Sequence, residues 1–137
     1  MFNHNNIACW PALAINYTTK TQYLFRINKN SLDVQDNSII DKFTSHSQRL
    51  VPFKNIVIIG DEETDIPCMR LVKNQGGNSI AVYQKGKRGA FNKAKKLTID
   101  GGTTLAIDKD YSESSNIEKA IMAMIDKIAT DNILDKL

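Results

Sequence analysis

The sequence predicts an α/β fold in which helices pack on both sides of a parallel sheet. From Asn55 to the C-terminus, short apolar runs that resemble strands alternate with helical patterns, which is typical of parallel strands joined by helices. The clearest strand is Asn55–Ile59, where four consecutive β-branched residues stand between a polar residue and Gly60. Such an uninterrupted run predicts a strand that is buried on both faces.

Helix starts and ends can be placed around this strand. Thr19–Gln22 fits the capping-box pattern and predicts a helix from Lys20 to about Asn28. We expect Tyr23, Leu24 and Ile27 to face inward on it. A second capping box, Ser115–Glu118, opens a long amphipathic helix whose apolar face carries the residues Ile117, Ile121, Met124, Ile125 and Ile128.

The other predicted elements are shorter. The Asp65–Asn74 pattern predicts a helix that carries Pro67 in its first turn and ends at Gly76-Gly77. The remaining expectations are strands at Ser79–Tyr83 and Thr104–Ile107, helices at Ala90–Lys96 and Ser38–Phe43, a polar turn at Asn30–Asn37, and a strand in either Ile7–Trp10 or Leu13–Tyr17.

The composition indicates a globular protein or a piece of one. The 137 residues are 42% hydrophobic and 24% charged, which is enough to bury a core. We treat residues 1–137 as a single partial domain, with 1–54 as a lead-in and 55–137 as the βα repeats. Residues 1–6 lack the apolar core of a signal peptide, and no apolar run approaches the roughly 20 residues of a membrane span. These features predict a soluble, cytoplasmic protein with no membrane partner.

Two cysteines and one basic segment have modest interpretations. Cys9 and Cys68 form neither a disulfide framework nor a metal-binding spacing, and Cys68 lies in an apolar helical pattern that predicts a core position. Within Lys85–Lys96 there are six basic residues and no acidic one. Such a segment can contact phosphate or nucleic acid, but it is more often a solvated surface. We therefore expect no nucleic-acid partner.

The loop after the clearest strand carries four carboxylates within five residues, on Asp61, Glu62, Glu63 and Asp65. Mg²⁺ typically takes one or two protein carboxylates and completes its shell with water and phosphate oxygens. In this hypothesis Asp61 is the metal ligand nearest the strand, while Asp65 accepts backbone N–H bonds or orients a metal-bound water or a catalytic lysine. In the alternative, the acidic residues only favour a helix N-terminus electrostatically.

Lys20 has two interpretations of equal weight. A cation at the first helical position opposes the helix dipole, and a broken local rule of this kind can mark a functional residue. In a phosphate site, Lys20 would neutralise the phosphoryl group and restrain a carboxylate. In the alternative it is an exposed lysine that tolerates a small cost.

The segment Ile56–Asp65 resembles the last motif of the haloacid dehalogenase (HAD) superfamily, which is a hydrophobic strand followed by Gly-Asp-x-x-x-Asp. The continuation through Ser79–Tyr83 also resembles members of that superfamily. The resemblance implies a partial Rossmann-like three-layer α/β/α core and a Mg²⁺-dependent phosphatase. It implies that Asp61 is a Mg²⁺ ligand, that Asp65 is its acidic partner or an alternative ligand, and that Lys20 is the phosphate-binding catalytic lysine. Lys29 is the fallback for that lysine.

The chain departs from the HAD pattern in its first half. Members begin with a strand that ends in Asp-x-Asp-x-Thr, which supplies the nucleophile and the acid/base residue, and no such motif precedes Asp61. The sequence therefore predicts a C-terminal portion that lacks the N-terminal strand and the cap domain and is inactive alone. In a complete enzyme the partner would be a small phosphorylated metabolite.

Two other functions stay open. Without the first strand, Asn55–Ile59 would expose an unpaired edge. The chain would then be a non-catalytic module that pairs with a second copy or with a complementing N-terminal fragment. A weaker option is a receiver-like domain that binds Mg²⁺ without hydrolysis.

Overall fold

The computed structural model describes residues 5–9, 11, 13–16, 18–38, 42–45 and 48–137. These residues belong to two compact units, Met1–Val51 and Pro52–Leu137. Trp10, Tyr17 and residues 39–41 lie outside the described part, so the strand and helix expected there are covered incompletely. No helix in the described part is both long and apolar enough to cross a membrane.

The N-terminal unit is organised around helix α1 (Lys20–Lys29). Lys20 is its first residue, as predicted, but the predicted Thr19 capping box is wrong. The Thr19 hydroxyl accepts a hydrogen bond from the Asn16 amide at 2.9 Å and makes no bond to the first turn of the helix. The side-chain oxygen of Asn16 instead accepts hydrogen bonds from the backbone amides of Thr18 and Thr19. The chain therefore enters α1 through an Asx-type turn.

The buried face of α1 is more polar than its sequence predicts. Leu24 is buried as expected, but Ile27 is 42% exposed and Arg26 is 2% exposed. The guanidinium of Arg26 donates to the backbone carbonyls of Ser31, Asp33, Val34 and Asp36 and to the side chain of Asn37. The polar turn predicted at Asn30–Asn37 is present, and this guanidinium organises it.

The C-terminal unit is an α/β fold with a parallel, open sheet, as the sequence predicts. Its strands are β1 (Val57–Gly60), β2 (Asn78–Tyr83) and β3 (Leu105–Asp108), in the order β1-β2-β3. In the register, Ile59 pairs with Ile80 and Ala81 pairs with Ala106. The helices that follow the strands are α2 (Ile66–Asn74), α3 (Ala90–Ile99) and α4 (Asn116–Leu134).

Helices cover both faces of this sheet. On one face, Ile80 and Val82 of β2 form the core with Ile117 and Met124 of α4. Because side chains alternate along a strand, Tyr83 points to the other face. There its ring meets Phe91 of α3, with the centroids 5.3 Å apart. Because crossovers between parallel strands are right-handed in nearly all proteins, we infer that α2 lies on the same face as α3.

The prediction for the first strand needs two corrections. Asn55 belongs to a short 3₁₀ turn, so the strand runs from Val57 to Gly60 rather than from Asn55 to Ile59. It is also not buried on both faces, because Val57 and Ile58 are half-buried and Ile59 is 37% exposed. Its position explains this exposure, since β1 is an edge strand among the strands that the structure describes.

Most other boundaries agree with the prediction to within a residue or two. The exception is α3, which continues to Ile99. On α4, the predicted apolar face is wrong at one position, because Ile125 is 48% exposed. Cys68 is 3% exposed and is a core residue, as expected. Ser115 caps α4 by accepting the Glu118 amide at 3.3 Å.

Candidate functional site

A cleft of about 430 Å³ opens where the strands β1 and β2 end. Its apolar lining includes Met69, Ala94 and Leu97. The charged residues of the lining are the acidic Asp61, Glu62 and Glu63 and the basic Lys87, Arg88, Lys93 and Lys109. In parallel sheets ligands bind at this end of the strands, so this cleft is the candidate site.

Asp65 holds the acidic loop against the end of β1. Its Oδ2 atom accepts the backbone amides of Asp61 and Glu62, each at 3.3 Å. The Glu62 side chain in turn accepts the Asp65 amide, which completes a reciprocal capping box. Asp65 therefore accepts backbone N–H bonds, which is one of the roles that the sequence predicts for it.

Gly60 makes this arrangement sterically feasible. A Cβ atom at position 60 would lie 2.6 Å from the Asp65 Cβ and 2.9 Å from its Oδ2. Cβ atoms do not approach other atoms that closely, so any larger residue would push the Asp65 carboxylate away. Asp65 can therefore keep this position only while residue 60 is glycine.

Asp61 forms an ion pair with Lys109, the residue that follows β3. The backbone amide of Lys109 donates to the Tyr83 carbonyl at 2.7 Å and so fixes the main chain beside the end of β2. The hydrogen bond to Asp61, together with the charge of that carboxylate, raises the pKa of the Lys109 ammonium group above its ordinary value. Both side chains are about two-fifths exposed, at 41% for Asp61 and 43% for Lys109.

A second ion pair joins the acidic loop to α3. Lys93 Nζ lies 2.6 Å from Glu63 Oε1. The hydrogen bond and charge of Lys93 hold the pKa of the Glu63 carboxyl below its ordinary value. The acidic loop is thus tied to two neighbouring elements, to the end of β3 by Asp61 and to α3 by Glu63.

All six basic side chains of the segment Lys85–Lys96 are exposed, as expected of a solvated surface. Lys87, Arg88 and Lys93 line the cleft, while Lys95 lies over the Phe91 ring at 5.7 Å. At least half of the segment's cations therefore line the same cleft as the acidic loop. The solvated segment thus also contributes cations to the lining of the candidate site.

The predicted site residues fall in different units. Asp61 and Asp65 lie together in the C-terminal unit, whereas Lys20 and Lys29 belong to the N-terminal unit. The Lys29 ammonium group donates to the Lys42 carbonyl at 2.8 Å. The role of Lys20 as a catalytic lysine stays a prediction.

Lys109 is a site residue that the sequence patterns did not predict. The sequence did contain a pointer to it, because Lys109 follows a predicted parallel strand and the carboxyl ends of such strands meet at one edge. Asp61 and Lys109 are 48 positions apart in the sequence, and the parallel sheet brings them together.

Binding of Mg²⁺ by the acidic loop stays a prediction. Among the described residues, no group of three His, Cys, Asp or Glu side chains is placed to hold a metal ion. The Oδ2 atom of Asp65 already accepts two amides, which leaves Asp61 as the better-placed carboxylate. One carboxylate with water and phosphate oxygens is a normal shell for Mg²⁺, so the donor set fits a metal held largely by its ligand.

Comparisons with known proteins identify an uncharacterised relative. No family model matches the chain, and no solved structure matches it significantly. An uncharacterised protein of Borreliella burgdorferi is 28% identical over 127 residues. The match covers 90% of this chain and 41% of that protein, so the chain spans about two-fifths of the relative's length.

Proposed function

We propose that this chain carries the metal- and phosphate-binding half of the active site of a Mg²⁺-dependent phosphate-ester hydrolase that resembles the HAD superfamily. The observation that carries the proposal is the position of Asp61. Its carboxylate follows directly on β1 and lines a cleft whose other charged residues are mostly cationic. A carboxylate beside cations at the carboxyl end of a parallel strand suits a metal together with a phosphate group.

Each residue has a distinct role in this proposal. Asp61 supplies a carboxylate oxygen to Mg²⁺, and Asp65 keeps the loop in place through the amides of Asp61 and Glu62. Lys93 and Lys109 neutralise phosphate oxygens in a partly enclosed cleft, where charge–charge interactions are stronger than in open water. When bound, Mg²⁺ supplies further neutralisation of the phosphoryl charge.

Catalysis by this route needs a nucleophile that precedes Asp61, and the sequence contains no Asp-x-Asp motif there. We therefore expect the 137-residue chain to bind Mg²⁺ and phosphate esters without turning them over. A second polypeptide with an aspartate nucleophile would complete the aspartyl-phosphate chemistry that the resemblance implies.

Two measurements test the proposal. Isothermal titration of MgCl₂ into the full chain should show binding that Asp61→Asn abolishes. Asp126→Asn, which removes an exposed carboxylate from α4, should leave this binding intact. With p-nitrophenyl phosphate and Mg²⁺, hydrolysis should appear only when an N-terminal fragment of a superfamily phosphatase bearing the Asp-x-Asp motif is added. Equal Mg²⁺ affinity in Asp61→Asn contradicts the proposed site, and hydrolysis by the chain alone contradicts its incompleteness.

A specific observation also favours the second function, a non-catalytic module that pairs through its sheet edge. β1 lies at the edge of the described sheet, and Ile59 on it is 37% exposed. An apolar edge strand is a template for pairing with another chain. Size-exclusion chromatography with light scattering tests this function. A dimer that Ile59→Lys dissociates supports it, and a monomer at high concentration argues against it.

A further inference from the structure

The two ion pairs of the acidic loop lie on the lining of the cleft and therefore occupy the surface that a ligand would contact. Asp61, Glu63, Lys93 and Lys109 all line this cleft, and they are joined as Asp61–Lys109 and Glu63–Lys93. All four side chains are at least 41% exposed. Ion pairs that are this exposed contribute little stability, so a ligand can replace them at small cost.

The arrangement of charge determines which ligand can replace them. A phosphate alone would bring its negative charge next to Asp61, and a metal cation alone would leave the Lys109 ammonium group without its carboxylate. A metal cation on Asp61 and a phosphate beside Lys109 that enter together leave both of these groups with a partner of opposite sign. The cleft is therefore complementary to a metal–phosphate pair rather than to either ion separately.

We propose that the cleft takes up Mg²⁺ and a phosphate ester as one unit, and that Lys109 moves its ammonium group from Asp61 to the phosphate as the metal binds. This inference rests on the proposed function and extends it to the form in which the ligand arrives. Lys109 suits the movement because its main chain is fixed to the Tyr83 carbonyl while its long side chain is flexible. In this proposal Lys109 is the residue of the C-terminal unit that neutralises the phosphate when the metal binds.

Calorimetry on the full chain tests the exchange, with MgCl₂ and phenyl phosphate as probes. In the wild-type chain, saturating Mg²⁺ should tighten phenyl phosphate binding by about fivefold or more, the lower range of coupling between linked sites. Lys109→Gln removes a cation that competes with Mg²⁺ for Asp61, so Mg²⁺ alone should bind about twofold to fivefold more tightly. Phenyl phosphate should bind more weakly to this variant, and its coupling to Mg²⁺ should fall.

The matched control is Lys127→Gln. Lys127 pairs with Asp131 on α4 at 2.8 Å, away from the cleft lining. The substitution removes the same charge and one ion pair, and it should change neither affinity. A second readout needs no variant, because the ¹³Cε resonance of Lys109 should shift when MgCl₂ and phenyl phosphate are added together to the wild-type chain.

The outcomes separate this inference from the proposed function. Mg²⁺ binding that depends on Asp61 but is unchanged in Lys109→Gln, or that leaves the Lys109 resonance in place, overturns the exchange and preserves the metal site. An absence of Mg²⁺ binding in both the wild type and Lys109→Gln overturns the metal site and the exchange together. If Lys109→Gln fails to fold, the wild-type resonance decides between these outcomes.

Discussion

The Asp65 carboxylate lies against the backbone of Gly60, so closely that a Cβ atom at position 60 would approach the Asp65 Cβ to 2.6 Å. Asp65 is thereby able to reach back over the end of β1 and accept the amides of Asp61 and Glu62. The contact fixes the start of the acidic loop relative to the sheet.

Gly60→Ala should destabilise the chain by about 1–3 kcal/mol, the usual cost of inserting a methyl group into a packed site. Urea unfolding followed by circular dichroism measures the change. Asp65→Gly removes the Cβ atom that the new methyl group would meet, so Gly60→Ala should cost less in that background. The same cost in both backgrounds would rule out Asp65 as the source of the strain.

Asp65→Ala should cost about 1 kcal/mol, because it removes the acceptor for two amides at the start of a helical turn. Asp65→Asn keeps one amide oxygen as an acceptor and should cost less. Hydrogen exchange localises the effect, since the Asp61 and Glu62 amides should lose protection in Asp65→Ala while the amides of α4 should not. Unchanged protection at Asp61 and Glu62 would contradict the bonding described.

The Glu63–Lys93 pair should be visible in a pH titration. Because Lys93 lowers the pKa of Glu63 in the folded chain, the pair's stabilisation is present above the unfolded pKa. It is lost as the pH falls through the lowered folded pKa. Carboxyl ¹³C NMR of Glu63 should report this low pKa in the wild type and an increase toward the ordinary value in Lys93→Gln. An identical pKa in both would mean that the pair does not persist in solution.

Arg26→Met should destabilise the N-terminal unit by about 2–3 kcal/mol, because several carbonyls lose a charged donor in a buried position. Hydrogen exchange over residues 31–37 should accelerate more than exchange over α2. Lys29→Met is the matched control, since it removes the same charge from the same helix but loses an exposed bond to the Lys42 carbonyl. Equal effects of the two variants would exclude the guanidinium as the organiser of the turn.

The two capping-box patterns should respond differently to alanine. Ser115→Ala should cost about 1 kcal/mol because the Ser115 hydroxyl caps the Glu118 amide. The Thr19 hydroxyl makes no bond to the first turn of α1, so Thr19→Ala should leave exchange of the first-turn amides unchanged. If Thr19→Ala and Ser115→Ala reduce amide protection at the starts of their helices equally, then Thr19 also caps its helix, contrary to the structure.

The sequence predicts the C-terminal unit well, because pattern and local chemistry agree there. The β-branched run before Gly60, the Gly76-Gly77 pair after α2 and the Ser115 cap each define one element boundary closely. The prediction fails where the outcome depends on neighbours. The apolar run Ile56–Ile59 has the pattern of a buried central strand, yet its burial depends on how many strands flank it, which periodicity does not encode.

The candidate site divides in the same way. Gly60, Asp61 and Asp65 are close together in the chain, so spacing alone predicts that they act together. Lys93 and Lys109 reach the same loop from positions 30 and 48 residues away in sequence from their partners Glu63 and Asp61. Basic residues are more often part of a solvated surface, so residue type alone does not predict that these two lysines reach the acidic loop. Their position beside it depends on the strand order. Arg26 was missed for a related reason, since its partners are mostly backbone carbonyls, which residue identities do not reveal.

The order of the strands across the sheet, β1-β2-β3, is also the order in which a ribosome makes them. Each new strand can therefore pair with the strand completed just before it, and no gap has to be kept open for a later one. β2 joins an existing β1 and β3 joins an existing β2, while α4 arrives last and closes the apolar face around Ile80 and Val82. Synthesis can thus build this unit progressively from its edge strand, with α4 as the step that removes the apolar core face of the sheet from water.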